Sequence, residues 1–110
     1  MTDALETVCA HCGAVNRVKA DKLDQALSAK CGRCAKALIS AEPETLTEAS
    51  FQAFVNRSDI PVLVDFWAPW CGPCRSLGPT LERVSAKLSP RIRFAKLNVD
   101  EAQRVAQQVI

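Results

Sequence analysis

Six cysteines determine the chemistry that this 110-residue sequence can support. They form three CxxC pairs: Cys9/Cys12, Cys31/Cys34 and Cys71/Cys74. Cysteines at this spacing either bind a metal ion or exchange disulfides. The first two pairs are flanked by polar and small residues, whereas the third follows the apolar segment VLVDFWAPW. This difference in surroundings predicts two kinds of sulfur chemistry in one chain.

The first two pairs have the spacing of a four-thiolate metal site, with 18 residues between Cys12 and Cys31. Two CxxC turns complete a tetrahedron of sulfurs, which suits one structural zinc ion and leaves no position for a substrate. The predicted ligands are Cys9, Cys12, Cys31 and Cys34. Iron in the same cage, four reduced thiols, or two disulfide switches are the alternatives. His11 lies between two ligands and is predicted to be exposed rather than a ligand.

The third pair is predicted to perform thiol–disulfide exchange. A strand that ends at Trp67, followed by a helix, places Cys71 at a helix amino terminus, where unpaired amides and the helix dipole lower a thiol pKa. Cys74, in the first turn, is then close enough to attack a sulfur bonded to Cys71. Gly72 leaves space for a substrate backbone, and Pro73 is tolerated early in a helix. A metal site at this pair is disfavoured, because no cysteine or histidine follows it.

Several residues around this pair are candidates for supporting roles. Asp65 interrupts an apolar strand, so we expect it to be buried, to have a raised pKa and to accept the proton of Cys74. The alternative is a polar residue that caps a turn. Trp67 is expected in the core and Trp70 on an exposed apolar surface that contacts substrate. Lys96 either approaches Asp65 from the neighbouring strand or is solvated.

The pattern of the chain predicts two units joined by a linker. Residues 1–40 contain no aromatic residue and cannot build a sizeable apolar core, so a metal or cross-links are needed to hold them together. Residues 41–46 contain Pro43 between acids and are predicted to be the linker. Residues 47–110 alternate helix, strand, helix, strand, helix, which predicts an α/β unit with parallel strands.

The individual elements of the second unit follow from capping and periodicity. Thr47 is a plausible N-cap for a helix that buries Phe51, Phe54 and Val55. IPVLVDFW is apolar throughout and predicts a central strand, and the segment from Ile92 predicts a second strand. The remaining predictions are a helix from Pro73 to Leu88 with Leu77, Leu81, Val84 and Leu88 on one face and a kink at Pro79, and a helix from Glu101 to Val109 with Ala102, Val105, Ala106 and Val109 on one side.

Composition narrows the class of partner and the compartment. The formal net charge is +2, which favours neither nucleic acid nor a membrane surface as a partner. The amino terminus MTDALETVCAHCG lacks the features of a secretory signal, and no apolar run approaches the roughly 20 residues of a membrane span. The sequence therefore predicts a cytoplasmic protein, in which cysteines serve metal binding or redox chemistry.

Two segments resemble the thioredoxin family: VLVDFWAPWCGPC and FAKLNVDE, within residues 46–110. Together with the amino-terminal CxxC pairs, they are similar to the zinc-containing bacterial branch of the thioredoxin 2 type. The resemblance implies a thioredoxin-like α/β fold preceded by a small zinc-ribbon-like unit. It implies Cys71 as the attacking cysteine, Cys74 as the resolving one, Asp65 as the buried acid with Lys96 beside it, and Trp70 as part of the substrate surface.

The resemblance also implies partners and an activity. The implied activity is protein-disulfide reduction, the substrates are disulfide-containing cytoplasmic proteins, and the electron source is thioredoxin reductase with NADPH. Peroxide defence is a plausible setting. Two other functions remain open: a zinc-binding regulatory or partner-recruiting module with an impaired redox domain, and a switch in which oxidation ejects zinc.

One departure from the family pattern concerns the carboxyl terminus. Family members continue with a cis-proline loop, two strands and a helix, whereas AQQVI resembles the stretch just before that loop. We therefore expect an incomplete thioredoxin-like fold, truncated at the carboxyl terminus. Its central strand should lack a hydrogen-bonding neighbour, which predicts lower stability and activity than a longer chain.

Overall fold

A computed structural model describes residues 4–109, and the side chains of residues 4–107. The amino-terminal unit contains two strands and a 3₁₀ helix, and the second unit contains three strands and three helices. In chain order the elements are β1 (Ala4–Val8), β2 (Val15–Lys19), the 3₁₀ helix (Ala20–Ser28), β3 (Glu44–Leu46), α1 (Glu48–Asn56), β4 (Val62–Trp67), α2 (Gly72–Leu88), β5 (Arg93–Asn98) and α3 (Gln103–Val109).

The amino-terminal unit is an antiparallel hairpin packed around cysteines. β1 and β2 pair from Ala4 opposite Lys19 to Val8 opposite Val15. The sequence predicted no sizeable core here, but a small one exists and is completed by a residue of the second unit, Ile60. The buried members of this small core are Cys9, Val18, Ala26, Cys31, Leu38, Ile39 and Ile60.

The second unit contains a parallel sheet with strand order β3-β5-β4. The predicted parallel α/β architecture is confirmed, but one detail is wrong. Glu44–Leu46, expected to be linker, forms a strand because it pairs with Ala95 to Leu97 of β5. The segment VLVDFW forms β4, which among the described strands pairs with β5 on one side and has no partner on the other, as expected for a central strand that lacks a hydrogen-bonding neighbour.

The helices largely follow their sequence signals. Thr47 caps α1 in a reciprocal pair of hydrogen bonds with Ser50, as the predicted N-cap requires. Helix α2 continues through Pro79, and of the predicted apolar face only Leu81 is buried. Helix α3 begins at Gln103, two residues later than predicted, and follows the buried Ala102. Val109 was predicted on its apolar side, but this side chain is outside the described residues. Within residues 4–109, no helix is long and apolar enough to cross a membrane.

A second apolar core lies between the helices and the sheet. Two helices, α1 and α3, pack against the central strand β5 and the short strand β3. The buried members of this core are Leu46, Phe51, Phe54, Ala95, Leu97, Ala102 and Val105. This core holds β5 in place, and β5 in turn aligns β4, which leads into the cysteine pair.

Candidate active site and metal centre

The third cysteine pair lies at the amino terminus of α2, as the sequence predicted. After β4 ends at Trp67, the N–H of Cys71 donates to the carbonyl of Ala68 at 3.1 Å. Cys71 is the N-cap of α2, and its Sγ accepts a hydrogen bond from the N–H of Cys74 at 3.2 Å. A disulfide joins the two cysteines. The helix terminus therefore directs an N–H group at the sulfur that is expected to carry negative charge.

The cysteine pair is surrounded by accessible surface. Gly72 and Pro73 are exposed, whereas the two cysteines are partly buried. Trp70 is 75% exposed, and its indole N–H donates to a carboxylate oxygen of Asp100 at 3.1 Å. This bond orients an apolar ring beside the disulfide. The predicted exposure of Trp70 is confirmed, and its contact with substrate stays a prediction. The partner Asp100 was not singled out from the sequence, because it lies 30 residues away along the chain.

Asp65 lies behind the cysteine pair. Asp65 of β4 is directly opposite Lys96 of β5, and both line a cavity of about 290 Å³ together with Cys74 and Trp67. Burial raises the pKa of Asp65, and the positive charge of Lys96 opposes that increase. The side chain is partly rather than fully buried, because β4 is an edge strand. Of the two interpretations of Lys96, the structure supports the one beside Asp65.

The four amino-terminal cysteines form one sulfur cluster. Their Sγ atoms all lie within 4.8 Å of one another. Cys9 and Cys34 are separated by 3.7 Å, and Cys12 and Cys31 by 3.6 Å. A tetrahedron with metal–sulfur bonds of about 2.3 Å has sulfurs about 3.8 Å apart, so the cluster fits a tetrahedral thiolate site. His11 is exposed and is not among these clustered ligands.

The two CxxC turns have the same backbone design. In each, the N–H of the fourth residue after the first cysteine donates to that cysteine's carbonyl at 2.9 Å: Gly13 to Cys9, and Ala35 to Cys31. The donating residue has positive φ in both turns, +79° at Gly13 and +64° at Ala35. Glycine adopts this conformation readily, whereas alanine is strained there. The second turn therefore forms despite its local sequence.

Asn16 joins the two turns and was not predicted from the sequence. Its Nδ2 group donates to Cys31 Sγ at 3.4 Å, and its Oδ1 atom accepts from the N–H of Gly32 at 2.9 Å. The N–H of Arg33 also donates to Cys31 Sγ, at 3.3 Å. Hydrogen bonds from the Cys34 backbone, Asn16 and the Arg33 backbone, in that order, lower the pKa of Cys31 to about 6. These donors prepare a thiolate.

The buried cysteine of the other turn has the opposite tendency. Burial raises the pKa of the Cys9 thiol to about 11. A thiolate at this position at neutral pH therefore needs a cation beside it. The cluster therefore combines a thiol of raised pKa with one of lowered pKa, and its four sulfurs fit the donor set of a thiolate metal centre.

Comparison with known proteins agrees with both halves of this geometry. The family model described as Thioredoxin matches residues 42–110, and the one described as Thioredoxin 2, N-terminal matches residues 8–36. The chain belongs to the thioredoxin family. Its amino-terminal unit is the zinc-ribbon type found at the start of thioredoxin 2, and its second unit has the thioredoxin-like α/β fold.

Individual relatives support the same assignment. The chain is 46% identical to Thioredoxin C-3 of Corynebacterium nephridii over 99 residues, which cover 90% of this chain and 66% of that protein. It is 46% identical to a thioredoxin of Synechocystis over 70 residues, 64% of each chain. Among solved structures, spinach chloroplast thioredoxin f superimposes with a TM-score of 0.58 at 25% identity, covering 63% of this chain and 58% of the other. The chain thus spans less than two thirds of each of these relatives.

Proposed function

We propose that this protein is a thiol–disulfide oxidoreductase that reduces disulfides in other proteins. The observation that supports this most directly is the Cys71–Cys74 disulfide at the start of α2, where Cys71 Sγ accepts an N–H donor. Relatives named thioredoxin, at 46% identity, favour the same activity. Gly72 and Pro73 are exposed beside it, so a substrate backbone has access to the reacting sulfurs.

The reaction begins with Cys71 as a thiolate. Its sulfur attacks one sulfur of the substrate disulfide, so that a Cys71–substrate bond forms and the substrate S–S bond breaks. The departing substrate sulfur leaves as a thiolate and takes a proton from water. Trp70 provides the apolar contact, and Gly72 and Pro73 provide the open backbone surface on which the substrate binds.

Cys74 then resolves the mixed disulfide. Its thiol proton passes to the Asp65 carboxylate through the cavity that both residues line. The Cys74 thiolate attacks Cys71 Sγ, the Cys71–substrate bond breaks, and the second substrate sulfur is released. Two electrons have moved from the protein to the substrate, and the Cys71–Cys74 disulfide has formed. The raised pKa of Asp65 makes this carboxylate a better proton acceptor than an exposed one.

A reductant must regenerate the dithiol. We infer that thioredoxin reductase, using NADPH, reduces Cys71–Cys74 in the cytoplasm, and that disulfide-containing proteins are the substrates. The Gly-Pro sequence between the cysteines favours a reducing role, since thioredoxins have low potentials of about −270 mV. The formal net charge of +2 favours neither nucleic acid nor a membrane as a partner.

One zinc ion is the proposed occupant of the four-cysteine site. Cys9, Cys12, Cys31 and Cys34 would hold it, and it would stabilise the fold of the amino-terminal unit without taking part in the redox reaction. The sulfur separations of 3.6 and 3.7 Å support a tetrahedral site of this size.

The activity is tested with the reduced 110-residue chain and with insulin as the disulfide substrate. Cys71→Ser should abolish reduction, and Cys74→Ser should block turnover while accumulating a one-to-one mixed disulfide with the substrate. Zinc content is measured on the same samples to show that both variants remain folded. Undiminished reduction of insulin by Cys71→Ser would contradict the proposal.

A further inference from the structure

Arg93, the first residue of β5, is a buried cation that bonds to both units. Its side chain is 1% exposed. Nη1 donates to Thr7 Oγ1 at 2.9 Å and to the carbonyl of Val8. Nη2 donates to the carbonyl of Leu38 at 2.9 Å and to Glu44 Oε2 at 3.0 Å.

These acceptors lie next to the metal centre and the sheet. Val8 immediately precedes the ligand Cys9, and Leu38 lies four residues after the ligand Cys34. Glu44 is the first residue of β3, which pairs with β5. The guanidinium also lies 4.5 Å from the centre of the Phe54 ring in α1. One side chain therefore joins the segments that flank the two CxxC turns to two strands and a helix of the thioredoxin-like unit.

The strength of these contacts depends on the fold of the amino-terminal unit. Charged hydrogen bonds shielded from water are stronger than neutral ones, and a buried guanidinium needs all its acceptors. The carbonyls of Val8 and Leu38 are in position only while the two CxxC turns are folded. Those turns need a metal ion to fold, since a unit this small has little apolar core.

Ile60 provides a buried apolar contact between the two units, whereas the polar contacts other than those of Arg93 are exposed. Glu6 and Asp59 exchange two hydrogen bonds of 2.8 Å, which are exposed to solvent. Arg91 forms an ion pair with Asp24 at 3.2 Å, with both side chains more than 70% exposed. Exposed pairs of this kind contribute little to stability. Among the described residues, Arg93 is the buried charged side chain that bonds across the two units, to Thr7, Val8 and Leu38.

We propose that Arg93 couples the metal site to the parallel sheet, so that removing the metal destabilises the thioredoxin-like unit through the loss of the Arg93 hydrogen bonds. This proposal assumes the four-cysteine metal centre proposed above. It does not depend on the proposed disulfide reductase activity. It predicts that substitution of Arg93 and removal of the metal are not additive in their effects on the sheet.

The test uses the full chain under reducing conditions, with bound zinc and after removal of zinc by a chelator. Trp67 and Trp70, the two tryptophans of the chain, both lie in the second unit, so their fluorescence reports its melting temperature. For the wild type, removal of zinc should lower that temperature by about 10 °C. For Arg93→Met, removal should lower it by less than about 5 °C.

Arg91→Met is the matched control, because Arg91 also joins the two units but through an exposed pair. Its response to zinc removal should equal that of the wild type within about 2 °C. Arg93→Lys keeps the positive charge but not the planar fork. It should remain folded and show less than half of the wild-type response, which keeps the test decisive if Arg93→Met does not fold.

Zinc release provides a second readout. The rate of transfer of zinc to a chromophoric chelator should increase about tenfold in Arg93→Met and Arg93→Lys, and should not change in Arg91→Met. If the wild type binds zinc but all variants respond equally to its removal, Arg93 does not couple the units. If the wild type binds no zinc, the metal centre is wrong and the coupling proposal is overturned with it.

Discussion

Asp65 has the surroundings expected of the proposed proton acceptor for Cys74. It lies opposite Lys96 and shares a cavity with Cys74, and burial raises its pKa. In the folded state the protonated form is therefore favoured relative to the unfolded chain. Its contribution to stability is present at low pH and is lost as the pH rises through the raised pKa.

Asp65→Asn should consequently change activity and stability in opposite directions. The rate of disulfide reduction should fall by about 10²-fold, at the lower end of the range for general acid–base groups. The melting temperature at pH 7 should rise, because a carboxylate that is costly to ionise is removed. This gain should disappear below the ordinary pKa of 3.8. Melting curves from pH 3 to 8 test the sign, with the exposed Glu101→Gln as a control. A lower melting temperature at pH 7 would count against this prediction.

The two CxxC turns provide a matched pair of residues with positive φ. Ala35→Gly should raise the free energy of unfolding by about 0.5–1 kcal/mol, because relief of left-handed strain exceeds the entropy cost of glycine. Gly13→Ala should lower it by about 1 kcal/mol, although no atom lies within 4 Å of the added Cβ. Urea unfolding of metal-loaded protein measures both changes. Ala37→Gly, without positive φ, should only destabilise.

At the scale of elements, the edge position of β4 favours self-association of the chain. β4 pairs with β5 on one side, and no other described strand pairs with it on the other. Leu63 and Phe66 on this strand are 43% and 37% exposed. An exposed apolar edge strand pairs readily with another chain.

Leu63→Lys should therefore reduce self-association of the chain, because a charge on an edge strand opposes edge-to-edge pairing. Its effect on the free energy of unfolding should stay within about 0.5 kcal/mol, as for other surface substitutions. Light scattering over a range of protein concentrations measures the association. The control is Leu88→Lys, which is similarly exposed, at 41%, but lies on helix α2. Equal effects of both substitutions would show that the edge is not responsible.

At the scale of the whole molecule, six cysteines are divided between two chemistries by position. Four lie in two turns with their sulfurs clustered, and two lie at a helix terminus joined by a disulfide. The two groups are on different units, and Arg93 connects those units through buried hydrogen bonds. The proposed metal binding and the proposed disulfide exchange therefore use separate sulfurs within one connected fold.

Metal content should follow this division. Reduced wild-type protein should contain about one zinc per chain and no colour from iron. Cys31→Ser should lose the metal, because a tetrahedral thiolate site needs all four ligands, whereas Cys74→Ser should retain it. Elemental analysis with absorption spectroscopy checks both. Loss of zinc from Cys74→Ser would show that the redox pair takes part in the metal site.

The spacing of residues along the chain was enough to predict both cysteine sites and most of the helices and strands. The CxxC pairs, the N-cap at Thr47, the position of Cys71 before a helix and the acid within an apolar strand all depend on residues within a few positions of one another. The periods of helix and strand then predicted the parallel α/β unit. These features follow from sequence because the relevant contacts form within a single turn or strand.

The remaining features were decided by the tertiary structure alone, because each depends on contacts between residues far apart in the chain. The sequence around Arg93 does not predict its burial, because its hydrogen-bond acceptors Thr7 and Leu38 are distant in the chain. The local sequence likewise does not predict the hydrogen bond from Asn16 to Cys31. The strand at residues 44–46 likewise forms only because it pairs with the distant β5. No local pattern encodes which distant backbone completes a hydrogen bond, so only the assembled fold reveals these contacts.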